Sequence, residues 1–281
     1  MSKPSILVKA GRPDENRPLI SIDPVFAGWR YTGFEAYKLS PGATVGGDSA
    51  EFEVGIVILG GTCDIEAAGR AFPGLGKRKD VWERTPPYAV LVPPGASYTV
   101  QAKSELHIAV AKARRPGGKG APRVITPQEI AAEDRGEGPT YRRIHHILPP
   151  AAEALGLILV EVYTPAGNWS SFPPHKHDQE DPPREAYLEE VYYYQINPPG
   201  GFALQRVYTD DRGFDEAVAA EDGDAVIVPR GYHPVAAMPG YDCYYLNVMA
   251  GPARAWNFSV DPRYAWLMNW KKPAVAGGEG A

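Results

Sequence analysis

The stretch Val90-Leu-Val-Pro-Pro-Gly-Ala-Ser97 recurs in the second half of the chain as Val226-Ile-Val-Pro-Arg-Gly-Tyr-His233, position by position. Each copy is a short β-branched run closed by Pro-x-Gly. Proline ends a hydrogen-bonded ladder and glycine permits the reversal that follows, so both copies read as a strand entering a turn. Only the last position changes in chemical kind, Ser97 standing where the second copy has His233. The match is embedded in two similar successions of strand candidates. The first runs through Gly33–Leu39, Phe52–Leu59, Tyr88–Val92, Ser97–Val100 and Leu106–Val110; the second through Leu157–Tyr163, Val191–Tyr194, Phe202–Tyr208, Ala225–Val228 and Tyr244–Met249. Pro, Gly, Asn and Asp separate them, as turns in an all-β chain require. The pattern predicts an all-β fold built by internal duplication.

Composition agrees. Twenty-nine prolines, thirty glycines and sixteen tyrosines in 281 residues suit short strands and turns rather than a helix bundle. A formal charge of −5 and a pI near 5.7 offer no electrostatic case for nucleic acid or an anionic membrane. The basic run Lys112-Ala-Arg-Arg-Pro-Gly-Gly-Lys119 is short and glycine-rich and reads as a solvated linker. Cys63 and Cys243 lie far apart in apolar runs without metal spacing, so packed, reduced thiols are expected. No signal-peptide pattern opens the chain and no apolar window is long enough to cross a bilayer, which makes cytoplasmic the expected location. The expected division is an N-terminal barrel over residues 1–115, a linker over 116–150, a C-terminal barrel over 151–270 and a disordered tail over 271–281. Within the linker, Thr126 and Glu129 resemble a capping box for a short helix at Thr126–Glu133, with Pro127 at its first position.

The second copy carries the chemistry. His175 and His177 sit one residue apart in Pro173-Pro-His-Lys-His-Asp178, and His233 closes the repeated turn. On a strand, His175 and His177 project to one side and Lys176 to the other; the same alternation gives Glu190, Tyr192 and Tyr194 a common face. With that face inward, Glu190 can approach the histidine pair, and His233 can supply a third nitrogen where the chain re-enters after the Pro229–Gly231 turn. An exposed His-Lys-His alone is often incidental, but Glu190 and the spacing Gly223-(x5)-Pro-x-Gly-x-His233 complete a set. Three neutral imidazoles and a carboxylate suit one divalent transition metal, zinc first, with manganese, iron or nickel as alternatives.

His-x-His, then Glu, then Gly-(x5)-Pro-x-Gly-x-His resembles the paired-motif signature of the cupin superfamily. The gap from His177 to Glu190 is longer than the usual cupin spacing, implying an inserted loop at Asp178–Leu188 and leaving Glu180, Glu185 and Glu189 as other carboxylates to weigh. More narrowly, Gly167-Asn-Trp-Ser-Ser-Phe-Pro-Pro-His-Lys-His-Asp178, Gln205-Arg-Val-Tyr-Thr-Asp-Asp-Arg212 and Tyr244-Tyr-Leu-Asn-Val-Met-Ala-Gly-Pro252 are similar to the 5-deoxy-glucuronate isomerases of myo-inositol catabolism, a family related to 5-keto-4-deoxyuronate isomerase. The likeness runs from about Ala27 to Trp256. It implies a bicupin, two tandem cupin barrels, that converts 5-deoxy-D-glucuronate to 2-deoxy-5-keto-D-gluconate. The first copy would then be metal-free, and pairing of copies into an oligomer is expected by analogy.

The residue chemistry is compatible with isomerisation. A metal can act as Lewis acid and template for the enediolate through which hydrogen shifts between adjacent carbons, with an acid and a base in reach. Glu190, Tyr208 and Arg206 are the catalytic candidates, with Tyr192 and Tyr194 as further hydroxyls or barrel packing. The substrate carboxylate calls for an arginine fork, with Arg206, Arg212 and Arg254 as candidates. Only one of Gln205 and Arg206 can face the interior, by alternation. Asn247 and Trp169 are candidate substrate contacts. His145 and His146, adjacent and therefore on opposite faces, make a poor chelate and read as structural, and His107 has no partner in the first copy. Three histidines and a glutamate also serve Fe(II) dioxygenases, and a non-catalytic sugar-binding bicupin is the alternative outside enzymology.

Overall fold

The computed structural model describes residues 5–12, 17–25 and 27–269, so the tail expectation at 271–281 lies outside the described residues. The chain is built almost wholly of strands. A six-stranded sheet runs, edge to edge, through Arg123–Ile125, Ala89–Val92, Phe52–Gly60, Leu106–Arg114, Thr32–Leu39 and Ile20–Ile22. A seven-stranded sheet runs through Leu7–Val8, Ala225–Val228, Glu189–Asn197, Asp242–Ala250, Ile158–Thr164, Arg142–Leu148 and Ala131–Arg135. The two orders coincide strand for strand over six positions. Each sheet has a four-stranded companion, again in matching order: Thr44–Asp48, Ser97–Ala102, Cys63–Ala67 and Arg70–Leu75 in the first half, and Trp169–Ser170, Val235–Ala237, Ala203–Tyr208 and Asp215–Ala220 in the second.

Two apolar clusters show how these layers meet. One face of the six-stranded sheet, with Val54, Ile56, Val90 and Ile108, packs onto its companion through Ile65, Tyr98 and Val100. The opposite face, with Phe34, Ala36, Val57 and Ala109, belongs to one cluster with Leu159, Val191, Tyr193 and Val248 of the seven-stranded sheet. The two large sheets are therefore back to back. Strands buried on both faces must be apolar nearly throughout, and Phe52–Gly60 and Glu189–Asn197 are buried at almost every position.

The halves are interlocked rather than linked. Leu7–Val8 pairs with Val226 and Ala225 and so completes the second half's sheet, at the edge position that Arg123–Ile125 fills in the first. Residues 1–115 are thus not self-contained. The stretch 116–150, expected as a linker, carries Arg123–Ile125, Ala131–Arg135 and Arg142–Leu148, all in the large sheets. The helix expected at Thr126–Glu133 shrinks to one 3-10 turn at Pro127–Glu129, capped by Thr126 and Glu129, because Ala131 already enters the ladder with His146.

Two glutamates at matching positions make the halves reciprocal. Val54 pairs with Val92 and Glu190 with Val228, the same position of the repeat, so Glu53 corresponds to Glu189. Buried Glu53 accepts from the backbone N–H groups of Leu155, Gly156 and Leu157 at 2.7–2.9 Å. Buried Glu189 accepts from those of Arg30, Tyr31 and Thr32, each at 2.8 Å. Each half thus satisfies the amides that lead into a central strand of the other. Between the sheets, Arg78 forms a two-point ion pair with Glu161, both contacts 2.9 Å. His145 Nδ1 at 2.7 Å and the hydroxyls of Tyr244 at 3.0 Å and Tyr163 at 3.2 Å complete the carboxylate's shell. Burial alone would raise the Glu161 pKa, but the Arg78 charge and these hydrogen bonds hold it at about 2. His146 faces the other way and meets Glu133, and His107 Nε2 lies 2.8 Å from the Tyr193 hydroxyl, so these three histidines are structural. Among the described residues no helix is long and apolar enough to cross a membrane.

Removing one partner of a buried ion pair strands the other charge, which costs about 3–5 kcal/mol. Arg78→Ala is therefore expected to lose about that much stability in denaturant unfolding, and Arg78→Met with Glu161→Leu much less; equal losses would show that the pair itself is not the determinant.

Candidate metal centre and active site

The inner face of the seven-stranded sheet forms the floor of a cavity of about 760 Å³. Alternation along Glu189–Asn197 sends Glu190 and Tyr192 into it and leaves Tyr193 on the interface side, against Phe34. Neighbouring strands add Tyr245 and Asn247, Val160 and Val162, and Arg142 and Ile144. Ser171, Phe172, Pro173 and His175 come from the connection that crosses the cavity, and Trp256, Phe258 and Met268 from the C-terminal segment. His175–Lys176 pairs with Ser259–Val260, which brings Phe258 to 4.7 Å from the His175 ring.

Glu190, His177 and His233 are all buried, and their ligand atoms lie within 4.8 Å of one another. Glu190 Oε2 is 2.9 Å from His177 Nε2 and 3.2 Å from His233 Nε2, while Oε1 accepts from Asn247 Nδ2 at 2.7 Å. His175 flanks this group, its ring centroid 4.9 Å from that of His233 and 6.4 Å from that of His177. Each imidazole turns its Nδ1 to a backbone carbonyl: Pro173 O at 3.1 Å for His175, Leu188 O at 3.1 Å for His177, Gly231 O at 2.8 Å for His233. A carbonyl only accepts, so each Nδ1 carries the proton and each neutral ring keeps its lone pair on Nε2.

That arrangement is unstable by itself. Two ring lone pairs directed at one carboxylate oxygen repel it unless a cation or proton sits between them. His233 Nε2 is buried and, though close to Glu190, makes no hydrogen bond. Burial, then the neighbouring His175 and His177, press the His233 pKa well below the ordinary value; burial and His177 lower that of His175 to about 4. His177 differs: burial opposes its charge, but the hydrogen bond and charge of Glu190 outweigh it and raise its pKa. A ring fixed by a carbonyl at Nδ1 with Nε2 free is the usual posture of a metal-ligating histidine. The donor set fits a divalent transition metal.

The inserted loop resolves the choice of carboxylate. Glu185 accepts from the N–H groups of Asp178 and Gln179, Glu180 from that of Tyr187, and Glu189 reaches the first half, which leaves Glu190 with the imidazoles. Lys176 points away, as alternation requires, to Asp178 at 2.7 Å.

Several expected substrate groups lie elsewhere. Gln205, not Arg206, faces inward: it is fully buried and accepts from the Tyr194 hydroxyl at 2.8 Å. Arg206 lies outside in a two-point pair with Asp215, both contacts 2.7 Å, and Arg212 joins the same carboxylate. Tyr208 shares the outer phase and donates to Asp261 at 2.9 Å, its ring covered by Arg206 and Arg212. Arg254 spends its guanidinium on the carbonyls of Leu157, Pro150, Ala152 and Pro149. Trp169 stands at the rim, its ring 6.2 Å from Phe172, which lines the cavity in its place. Asn247 does reach the cavity, where it holds Glu190.

Ser171, Tyr245 and Arg142 were not anticipated. Ser171 adopts φ of +47°, a left-handed conformation that a non-glycine residue holds only where its surroundings enforce it. Its Oγ lies 2.7 Å from the Tyr192 hydroxyl and 3.5 Å from that of Tyr245. Burial raises the Tyr245 pKa to about 12 and that of Tyr192 well above the ordinary value, so both phenols keep their protons at neutral pH.

The fold is that of the cupins, and a buried His/Glu group able to hold a metal ion sits on the inner face of one sheet. Two oxalate decarboxylase structures illustrate the shared fold, that of Lactobacillus farciminis having a TM-score of 0.66 at 11% identity over 96% of this chain and 92% of its own. Residues 6–267 match the KduI/IolB family, and the chain belongs to it. It is 49% identical over 95% of its length to a 5-deoxy-glucuronate isomerase of Geobacillus thermodenitrificans, covering 97% of that relative, and 47% identical over 96% to one of Geobacillus kaustophilus, again covering 97%. An IolB-like protein of Salmonella typhimurium has a TM-score of 0.91 and 44% identity, over 94% of this chain and all of that one.

In metal-free protein at pH 6, nitrogen NMR of labelled histidine should find the His175 and His233 rings neutral with the proton on Nδ1, and His177 doubly protonated. A charged His233 at that pH contradicts the geometry.

Proposed function

We propose that the protein is a metal-dependent aldose–ketose isomerase that converts 5-deoxy-glucuronate to 2-deoxy-5-keto-gluconate in this cavity. We read the two sheet pairs as tandem cupin barrels, a bicupin, of which the second holds the metal. The observation that carries the proposal is the convergence of His177 and His233, each tied to a backbone carbonyl through Nδ1, on one oxygen of Glu190, with His175 held the same way beside them. Relatives named as 5-deoxy-glucuronate isomerases at 42–49% identity favour isomerisation over oxygen chemistry or ligand storage.

His175, His177, His233 and Glu190 would hold the ion, zinc in the first instance, with manganese or iron as alternatives. When bound, it supplies Lewis acidity to adjacent oxygens of an open-chain sugar. The chain's own groups do the rest. Asn247 occupies Oε1 of Glu190 and so fixes which carboxylate oxygen faces the ligand side. Ser171, Tyr192 and Tyr245 present a connected set of hydroxyls, protonated at neutral pH, that can donate to sugar oxygens and pass a proton between neighbouring ones. Phe172, Trp256 and Phe258 line the cavity with apolar surface, which limits water around the reacting carbons.

Purified protein incubated with 5-deoxy-glucuronate in deuterated water should form the ketose, followed by NMR, and a chelator should abolish turnover until metal is restored. Ketose formation indifferent to exhaustive chelation would refute the metal's role, and no ketose at all would refute the reaction. His177→Ala should lose bound metal by elemental analysis and lose turnover by at least about 10³-fold, while its far-UV circular dichroism stays native.

A further inference from the structure

The wall of the cavity beyond the proposed metal centre contains a buried cation with no anion. Arg142 projects from the strand Arg142–Leu148 and is only 7% exposed. Its Nη1 donates to Thr140 O and its Nη2 to Phe172 O, both at 2.9 Å, and both acceptors are neutral. Among the described residues no carboxylate forms an ion pair with it. The other deeply buried cations are matched: Arg78 by Glu161 and Lys176 by Asp178. The second guanidinium on the cavity wall, Arg135, is already bound at two points by Glu133, at 2.7 and 2.8 Å. A desolvated charge left unpaired is costly, and a protein keeps one where a ligand brings the opposite charge.

Position agrees with charge. Arg142 holds the carbonyl of Phe172 and His175 holds that of Pro173, the next residue. Consecutive carbonyls and two hydrogen bonds keep the guanidinium and the imidazole within roughly 10 Å of each other, a gap that an extended six-carbon acid can bridge. Burial lowers the Arg142 pKa from its ordinary value yet leaves the group cationic at neutral pH.

We propose that Arg142 is the specificity-determining residue that receives the carboxylate of the sugar acid, with the carbonyls of Thr140 and Phe172 fixing the plane of its fork. The assignment rests on the isomerase reading for the identity of the acid and on the geometry above for the residue. Each Nη has a second N–H beyond the one given to a carbonyl, so a carboxylate can be met at two points. A lysine would keep the charge and lose that fork. The cavity therefore selects uronates over neutral aldoses of equal length.

Binding of two unreactive analogues tests this without turnover. One is the hydroxy acid made by reducing the substrate's aldehyde, the other the fully reduced, uncharged alditol. Calorimetry with wild-type protein should show the acid binding about 10²-fold tighter than the alditol, the scale expected for losing one partner of a buried charge pair. Arg142→Gln should bring the ratio to within about threefold, with melting temperature and metal content unchanged. Arg142→Lys, which keeps the charge and most of the stem, should give a ratio in between and carries the test should the glutamine variant be destabilised. The ratio should persist in metal-stripped protein, so a failure of the metal reading leaves this outcome legible. Retention of the acid preference in both variants overturns the assignment, as does a wild-type protein that binds the two analogues alike.

Discussion

Everything in this molecule follows from two large sheets packed back to back. Most β-sandwich strands present one face to a core and the other to water. Here the central strands are covered on both faces, by the partner half behind and by the four-stranded sheet in front. Few side chains on them reach water, so nearly every polar group on those strands is paired within the protein or faces the cavity. That condition sorts the polar residues into two sets according to the parity of their position.

On the interface side the charges are paired. Glu161, Arg78, His145 and Tyr244 satisfy one another, and Glu53 and Glu189 satisfy three amides each. On the inner side of the second half the accounting stays open. His233 Nε2 has no hydrogen bond and Arg142 has no anion, and both face one cavity that also holds Glu190 and three hydroxyls. Other buried atoms also lack a hydrogen-bond partner, Arg78 Nε and Gln195 Nε2 among them, but the two deficits at the cavity face one space and differ in sign. One asks for a cation near the imidazoles, the other for an anion near the guanidinium. The proposed metal ion and sugar carboxylate would meet both.

Much of this was legible in the sequence, for identifiable reasons. The duplication shows because turns are written in Pro and Gly at fixed offsets from β-branched runs, as at Val90–Ser97 and Val226–His233. Of the ligand candidates, His177 and Glu190 follow from the period-two alternation of strands and His233 from its place after the Pro229–Gly231 turn, and these three are brought together. The choice between Gln205 and Arg206 could not be made, since alternation gives relative phase only; Leu204, 50% exposed, reveals that the even positions point outward. Tyr208 follows Arg206 for the same reason. Arg254 was misplaced because nothing in a sequence announces a cage of backbone carbonyls. Arg142 is hidden for a different reason. Its segment, rich in Gly, Pro and charge, resembles a linker, and the strand Arg142–Leu148 becomes a sheet member only through pairing with Ile158–Thr164.

The first half explains what the second half needs from it. At the positions of Glu190 and His233 it carries Val54 and Ser97, and its interior is filled by Val54, Ile56, Val90, Tyr98 and Ile108. A packed apolar interior is stiffer than a cavity, and a cavity lined by polar groups weakens the half that contains it. The back-to-back sheet supplies the missing rigidity from behind. Tyr193 and Glu189, which brace against Phe34 and the amides of Arg30 to Thr32, alternate along one strand with Glu190 and Tyr192. The residues that hold the strand in place and those that face the ligand are neighbours one peptide apart. The copy without the ligand residues is in this way the support on which the other copy's cavity is held.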